Sequence, residues 1–509
     1  MASREVGRKA ASLQCIFLGD FRSAHSNMGL LDVKIQIARG SQWRGRNQRL
    51  ERIKSAPITN PQSTPPSSSS SSNNGEQYPN ASDSAEYMDV ELHRAAASDV
   101  DNVDDFISIL ERVSTKKRYS LADIFRQVSP LGNTLLHVAA SHQNEKITRL
   151  IAYHCPSMIL KQNSDGDTAM HLAARSSDTA RLAAATAGRG GDTYVVSTLL
   201  RFLEDLPIYE WVGDAGATPD DVILLRMRNN EGNTALHEAL INGQQRCAFS
   251  LIVEDHAVSF FLNMEGESPL YLAVKAGYER IVSRMFALSD YKIRNKDEWL
   301  EGKSPLQAAI TRRDKGLIDI ILQNEPRFIN LRDMDGRTPL HYAASMGYVE
   351  EVQYLIGKFS ASPIERDNEG LFPIHLAAIE GHIQTVEMLL QHCPDPREML
   401  SHNGQSILHV ATNAEKHDVV SHILVNPALG CLINHRDFDG NTPLHLAAMN
   451  NNTKIISTMA WDRRMDLKIV NKEGLTAIDI AKRFIKGVGS NEKLILAALR
   501  AVRCPNPTG

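Results

Sequence analysis

Cysteine is scarce in this chain and long apolar runs are missing from it. The 509 residues include only six cysteines, and no two of them form a Cys-x-x-Cys pair. This excludes a disulfide framework and favours reduced thiols in an intracellular protein. No apolar run reaches about eighteen residues, and the N-terminus lacks the apolar segment and cleavage site of a secretory signal. We therefore expect neither a membrane-spanning helix nor secretion.

The net charge is also small, at −4, but it is unevenly distributed. Residues 1–56 contain eleven Lys and Arg against four Asp and Glu, a net charge of +7, which leaves −11 for the rest. We interpret residues 1–54 as a basic, disordered arm and the Ser-, Pro- and Asn-rich residues 55–87 as a linker. Organelle targeting, nuclear import and nucleic-acid binding are the alternatives for its basic cluster, Arg44, Arg46, Arg49, Arg52 and Lys54.

A nine-residue pattern, written GRTPLHYAA at Gly336 and GNTPLHLAA at Gly440, recurs along the chain. Its ten copies start at Gly132, Gly166, Gly232, Gly266, Gly302, Gly336, Gly370, Gly404, Gly440 and Gly474. All gaps but one are 34 or 36 residues, which indicates a unit of about 33 residues. The exception, 66 residues, places an insertion within 176–228. A degenerate eleventh unit precedes the series at residues 92–96.

Each unit is predicted to form a turn followed by two antiparallel helices. In the unit of Gly336, Thr338 is placed to cap a helix whose first residue is Pro339. Gly347 ends that helix, and the apolar spacing of residues 349–356 predicts the second one. One helical pair cannot bury both apolar faces, so stability must come from stacking on the next pair.

The Thr-Pro-Leu-His-x-Ala cores at residues 338–343 and 442–447 resemble the ankyrin repeat. The resemblance implies an all-α fold over residues 88–502, an ankyrin-repeat solenoid of about 11 stacked helix-turn-helix units with short β-turn or hairpin tips, followed by a tail, 503–509. It also implies that the motif residues are structural and that the histidines hydrogen-bond between units. These residues are His93, Thr134, His137, Thr168, His171, Thr234, His237, Thr338, His341, His375, His409, Thr442 and His445.

Residues 229–239 and 433–445 resemble, within that superfamily, the plant Accelerated Cell Death Six group. Membership implies a cytoplasmic repeat array followed by transmembrane helices with a Pro-Gly-Gly signature, and a role in defence and cell-death signalling at the plasma membrane. The sequence reaches Gly509 without such helices. We expect a form lacking the membrane domain, whether a soluble relative, a splice form or a truncated gene model.

Catalysis and metal binding are not expected. The chain has no phosphate-binding loop, zinc-protease motif or nucleophile elbow. The pairs His154-Cys155 and His392-Cys393 are zinc-ligand types, but six units separate them, so we interpret them as helix-end residues. We predict no enzyme activity, cofactor or metal site.

Apolar or cationic residues at turns and at first-helix ends are the predicted partner contacts, since solvated turns are usually polar. These residues are Met334, Arg337, Met346, Leu371, Ile379, Phe438 and Met449, with Tyr209 and Trp211 in the insertion. Phe372 replaces a capping Thr, which indicates local repacking or a partner contact.

The predicted function is that of a non-enzymatic protein-interaction scaffold in plant defence or cell-death signalling. We expect it in the cytoplasm, either free or peripheral at the plasma membrane. Its partners are other proteins, bound on the concave surface, and not small molecules. The alternative is a nuclear regulator whose basic arm contacts nucleic acid while the repeats recruit partners.

Overall fold

The computed structural model describes residues 41–54, 87–98, 103–176, 194–203, 224–288, 302–393 and 395–484. These residues are helical, with turns between the helices, and the β structure among them is limited to two isolated bridges, Tyr87 with Val128 and Val470 with Thr476. The chain divides into two compact units, Met1–Glu265 and Gly266–Gly509. The predicted all-α repeat architecture is confirmed in each.

The first compact unit contains helices α1 to α10. Their bounds are α1 Ser41–Lys54, α2 Val90–Ala96, α3 Val103–Lys117, α4 Leu121–Arg126, α5 Leu135–Ser141, α6 Glu145–His154, α7 Ala169–Arg175, α8 Tyr194–Leu203, α9 Ala235–Ile241 and α10 Gln245–Glu254. The same unit also contains short 3-10 helices at Pro156–Met158, Leu224–Arg226 and His256–Phe260.

The second compact unit contains α11 to α23. Their bounds are α11 Pro269–Ala276, α12 Glu279–Leu288, α13 Pro305–Arg312, α14 Lys315–Asn324, α15 Pro339–Ser345, α16 Val349–Phe359, α17 Pro373–Glu380, α18 Ile383–Leu390, α19 Ile407–Asn413, α20 His417–Val425, α21 Pro443–Met449, α22 Thr453–Ala460 and α23 Ala477–Phe484. The 3-10 helices are Pro326–Asn330 and Pro427–Leu432.

Stacking follows the sequence pattern. The first helices of successive repeats pack on one another, as α15 does on α17, and second helices pack on second helices, as α16 does on α18. Ala343 and Ala344 are fully buried in α15, because their small side chains let neighbouring helices approach closely. Within each compact unit, the core is therefore a layer between the first and second helices.

The insertion within 176–228 leaves this stacking intact. Within this range α8 occupies Tyr194–Leu203, and α7 packs directly on α9. The Arg175 guanidinium pairs with Asp167 (3.0 Å) and with Glu238 of the following repeat (2.9 Å). Burial raises the pKa of Glu238, but hydrogen bonding and charge from Arg175 outweigh burial and bring it below its ordinary value. The repeats thus join across the insertion.

Helix α1 contradicts the expectation that residues 1–54 are disordered throughout. Residues 41–54 form a helix that packs against α3 and α4. Leu50 and Ile53 are buried, and Arg46 and Arg49 pair with carboxylates of α3. Apolar burial and charge pairing therefore offset the entropy that ordering this segment costs.

Phe372 occupies the cap position of α17, where most repeats have Thr or Ser. Its ring is buried, with the Arg366 guanidinium 4.9 Å and the His375 ring 5.5 Å from its centroid. The Phe372 N–H still donates to Nδ1 of His375 (3.1 Å). Local repacking, one of the two expected outcomes, thus replaces the lost hydroxyl.

Substituting Phe372→Thr should lower the free energy of unfolding by about 1–2 kcal/mol. Burying a Phe ring contributes about 2–3 kcal/mol, whereas a Thr cap returns only about 1 kcal/mol. Chemical denaturation would measure the difference. The control is Thr338→Ala, which removes only a helix cap and should lower the free energy of unfolding by about 1 kcal/mol. A Phe372→Thr protein more stable than the unsubstituted chain would contradict the repacking interpretation.

Candidate partner-binding surface

The turn that opens most repeats is held by its first residue, commonly an Asn or Asp. In the turn starting at Asp367, the carboxylate accepts hydrogen bonds from the N–H groups of Glu369 (3.0 Å) and Leu371 (2.8 Å). The Asp367 N–H donates to the Leu371 carbonyl (2.9 Å). Asp333 and Asp437 hold their own turns through the same carboxylate contacts. Because the first residue is tied inward, the second and third residues are left in solvent.

Neighbouring turns are joined by backbone hydrogen bonds. The N–H of the second residue of one turn donates to the carbonyl of the third residue of the preceding turn, as Asn368 does to Asp335 (2.9 Å) and Phe438 to Asn403 (3.0 Å). Their exposed side chains form one surface of the second compact unit, which we call the tip row. Its residues are Met334, Asp335, Asn368, Glu369, His402, Asn403, Phe438, Asp439, Lys472 and Glu473.

Three of the predicted contact residues are exposed apolar side chains. Met334 is 98% exposed and Phe438 is 61% exposed, both in the tip row. Met346 is 39% exposed where α15 ends. Fixed turns that keep large apolar side chains in water are typical of a contact surface, because exposure of such groups costs free energy that a partner would recover.

Ile379, Met449 and Arg337 lie at the same surface but are less available. Ile379 and Met449 are half-buried at the ends of α17 and α21. The Arg337 guanidinium lies 3.6 Å from Asp335 and 3.5 Å from Asp367. Arg337 therefore compensates acidic charge within the surface rather than presenting a free cation.

Leu371 was predicted as a contact residue, and its burial contradicts that prediction. Its side chain is 6% exposed, and its carbonyl accepts a hydrogen bond from His341 Nε2 (3.1 Å). The residue before the cap faces the neighbouring repeat, not solvent, so an apolar side chain there belongs to the core. The other two predicted residues, Tyr209 and Trp211, lie outside the described residues.

Sequence reasoning missed the acidic character of the surface. Asp335, Glu369, Asp439 and Glu473 occupy the third turn position and are exposed. It also missed Met264, 78% exposed at the second turn position in the first compact unit. Comparing the second and third turn positions across all repeats would have revealed both the acidic residues and Met264. The tip row thus offers negative charge beside apolar side chains, which suits a basic, partly apolar polypeptide.

The motif histidines connect adjacent repeats as predicted. Nε2 of His137, His341 and His445 donates to the carbonyl of Asp167 (2.9 Å), Leu371 (3.1 Å) and Leu475 (3.1 Å). His171 and His409 make the same bond at 3.0 and 3.1 Å. Nδ1 accepts from the N–H of the capping residue, at 3.2 Å for Thr134 and at 3.1 Å for Thr234 beside His237. Each ring is thereby fixed as the neutral tautomer.

Two motif histidines depart from this arrangement. No hydrogen bond to Nε2 of His375 is formed within the part of the chain that the structure describes, although the ring is fully buried. His93 is only partly buried, in the degenerate first repeat that lacks the glycine turn. The histidine-mediated connection between repeats is therefore confirmed for five rings and absent at one described position.

The other sequence features that suggested chemistry do not assemble into a site. Among the described residues, no three His, Cys, Asp or Glu side chains are grouped so that they could hold a metal ion. Burial lowers the pKa of His154 to about 4 and raises that of the Cys393 thiol to about 11. Within the described ranges, no helix has both the length and the apolar character needed to cross a bilayer.

Helical pairs that stack through Thr-Pro-Leu-His turns and expose their tips define an ankyrin-repeat protein, and comparison with protein families agrees. Residues 92–188, 183–297, 281–367 and 357–437 match "Ankyrin repeats (3 copies)". Residues 428–481 match "Ankyrin repeats (many copies)". The chain belongs to this family.

Among individual proteins, the chain is similar to protein ACCELERATED CELL DEATH 6 of Arabidopsis thaliana, with 31% identity over 381 residues. This covers 71% of the chain and 52% of the relative, and it confirms the resemblance to that group. Transient receptor potential cation channel subfamily A member 1 of Drosophila melanogaster is 25% identical over 46% of the chain and 17% of its own length. NF-kappa-B inhibitor zeta of Mus musculus is 26% identical over 45% of the chain and 31% of its own length. The chain thus spans about half or less of these relatives.

Proposed function

We propose that this protein is a non-enzymatic scaffold that binds other proteins through the tip row and the adjoining ends of the first helices. Met334 and Phe438 on hydrogen-bonded turns carry the proposal, because they combine a fixed backbone with apolar surface in water. The neighbouring carboxylates favour a basic partner. Membership of a family of interaction repeats supports the same role.

The biological setting that we propose is plant defence or cell-death signalling. Similarity over 71% of the chain to a plant protein whose name refers to cell death supports this setting. NF-kappa-B inhibitor zeta, named for its action on another protein, supports a protein partner. We place the scaffold in the cytoplasm, free or peripheral at the plasma membrane.

Nucleic-acid binding by the basic arm is a weaker proposal. Arg46 and Arg49 of its cluster are already bound to Asp104 and Glu111 of the same chain. Phosphate contacts would have to compete with those two pairs. This favours the protein-binding role over the nuclear alternative.

Introducing Met346→Lys together with Phe438→Lys should reduce capture of partners from a plant extract about tenfold or more. Two cations at this surface would remove apolar contacts and repel a basic partner, and losses of this size are typical of residues central to an interface. The measurement is quantitative mass spectrometry of proteins retained on the immobilised full chain.

Val425→Lys together with Trp461→Lys is the matched control. Both side chains are exposed but lie at the ends of second helices and are not part of the tip row. Circular dichroism and thermal unfolding should show both double variants folded, since exposed substitutions shift stability little. Equal retention of every partner by the tip-row variant and the unsubstituted chain would show that the proposed surface is wrong.

A further inference from the structure

Helix α1 occupies a surface that the repeat pattern does not account for. It lies outside the family match, which begins at residue 92. It packs against α3 and α4 and buries Leu50 completely. A separate segment of the chain thus covers part of α3 and α4, as a ligand would.

The contacts of α1 follow a single helical face. Both Arg46 and Arg49 face α3, and Leu50 and Ile53 continue the same stripe, so the four positions are i, i+3, i+4 and i+7. The acceptors on α3, Asp104, Ser108 and Glu111, have a matching helical spacing. Two arginines followed by two aliphatic residues therefore constitute the recognised pattern.

The charged contacts are specific in their geometry. Nε and Nη2 of Arg46 donate to the two carboxylate oxygens of Asp104, at 2.8 and 2.6 Å. Arg49 pairs with Glu111 in the same bidentate way, and its Nε donates to Oε1 at 2.6 Å. Its Nη2 also donates to the Ser108 hydroxyl (3.1 Å). Two-pronged pairing of this kind fits a guanidinium and not an ammonium group.

The two docked arginines keep the carboxylates of α3 in their charged form. Hydrogen bonding to Arg46 and Arg49 is the largest cause that lowers the pKa of Asp104 and of Glu111. Both pairs remain partly exposed, so each contributes little by itself and salt screens it. A helix of 14 residues is marginal when isolated, so α1 depends on docking for its order. Such an occupant can be displaced.

We propose that the surface of α3 and α4 around Asp104, Ser108 and Glu111, the cap groove, is a binding site for a basic amphipathic helix of a partner protein. In the free protein Ser41–Lys54 fills the cap groove and competes with that partner. The incoming helix must carry arginines at i and i+3 and aliphatic residues at i+4 and i+7. This second surface is independent of the tip row, so the two proposals can fail separately.

A labelled peptide with the sequence of residues 41–54 tests the proposal by fluorescence anisotropy on the full chain. We expect a chain carrying Arg46→Glu and Arg49→Glu to bind the peptide at least about tenfold more tightly than the unsubstituted chain, whose own helix has the advantage of a high effective concentration. A chain carrying Arg8→Glu and Lys9→Glu has the same net charge and should bind as weakly as the unsubstituted one. Equal affinity for all three chains would overturn the proposal.

A charge exchange makes the test independent of any one variant. A chain with Asp104→Arg and Glu111→Arg should reject the natural peptide and bind one carrying Arg46→Glu and Arg49→Glu. Circular dichroism confirms that each chain is folded before titration. Binding of both peptides with equal affinity would mean that the cap groove does not recognise them and would also overturn the proposal.

Discussion

Lowering the pH from 7 to 5 should reduce the free energy of unfolding by at least about 5 kcal/mol. Three buried rings alone contribute this much, because burial lowers the pKa of His154 to about 4, of His375 to about 3 and of His409 to about 4. In the unfolded chain a histidine has a pKa of about 6.5. At pH 5 the unfolded chain therefore binds protons that the folded chain excludes, at a cost of about 1.5–2 kcal/mol per ring.

The pH window follows from the direction of these shifts. Since the folded pKa values lie below the unfolded value, the stability they contribute is complete above about pH 6.5 and is lost as the pH falls toward 4. Carboxylates with a lowered pKa, such as Glu267, lose their contribution mainly below about pH 4.5. The interval from pH 7 to 5 thus reports chiefly on histidines, and burial also lowers the pKa of His137, His171 and His341.

Urea unfolding at pH 7, 6 and 5 and constant ionic strength measures this effect. His409→Gln should remove about 1.5–2 kcal/mol of the change in the free energy of unfolding between pH 7 and 5, independently of its effect on stability at pH 7. His402→Gln, which alters an exposed ring in the tip row, is the control substitution. A free energy of unfolding that stays constant from pH 7 to 5 would show that the buried rings are not held neutral.

The repeat architecture could be predicted because its signals are local. A turn residue such as Asp333 acts on N–H groups two and four residues away, and Thr338 acts within the next helical turn. Met334 and Phe438 followed from the same reasoning, since a residue beside such a turn must lie in solvent. Leu371 was wrong for a related reason, because its orientation is set by the neighbouring repeat and not by its own turn.

Helix α1 could not be predicted from its own residues. Its basic composition is typical of a solvated arm, and what orders it lies far away in sequence. Asp104 is 58 residues from Arg46, and Glu111 is 62 residues from Arg49. The i, i+3, i+4, i+7 pattern was present, but only the acidic face of α3 gives it a partner.

Substituting Gly370→Ala should lower the free energy of unfolding by about 3 kcal/mol. Gly370 has φ +75°, a left-handed conformation that costs an alanine about 1–2 kcal/mol. The added Cβ would also lie 2.6 Å from the backbone nitrogen of His402, whose N–H donates to the Glu369 carbonyl (3.3 Å). Backbone cannot yield as a flexible side chain does, so the two turns must separate.

Substitutions at two further glycines distinguish the cost of backbone strain from the cost of a steric clash. Gly474 has φ +73°, and among the described residues no atom beyond its chain neighbours lies within 4 Å of an added Cβ, so Gly474→Ala should cost the strain alone, about 1 kcal/mol. Gly357 lies in α16, where no described atom outside its own helix and chain neighbours would contact an added Cβ, and Gly357→Ala should stabilise by about 0.5–1 kcal/mol because alanine favours the helix. Chemical denaturation should therefore give the highest free energy of unfolding for Gly357→Ala, an intermediate value for Gly474→Ala and the lowest for Gly370→Ala. If Gly370→Ala cost no more than Gly474→Ala, the contact between neighbouring turns would not constrain the tip row, and its fixed spacing would need another cause.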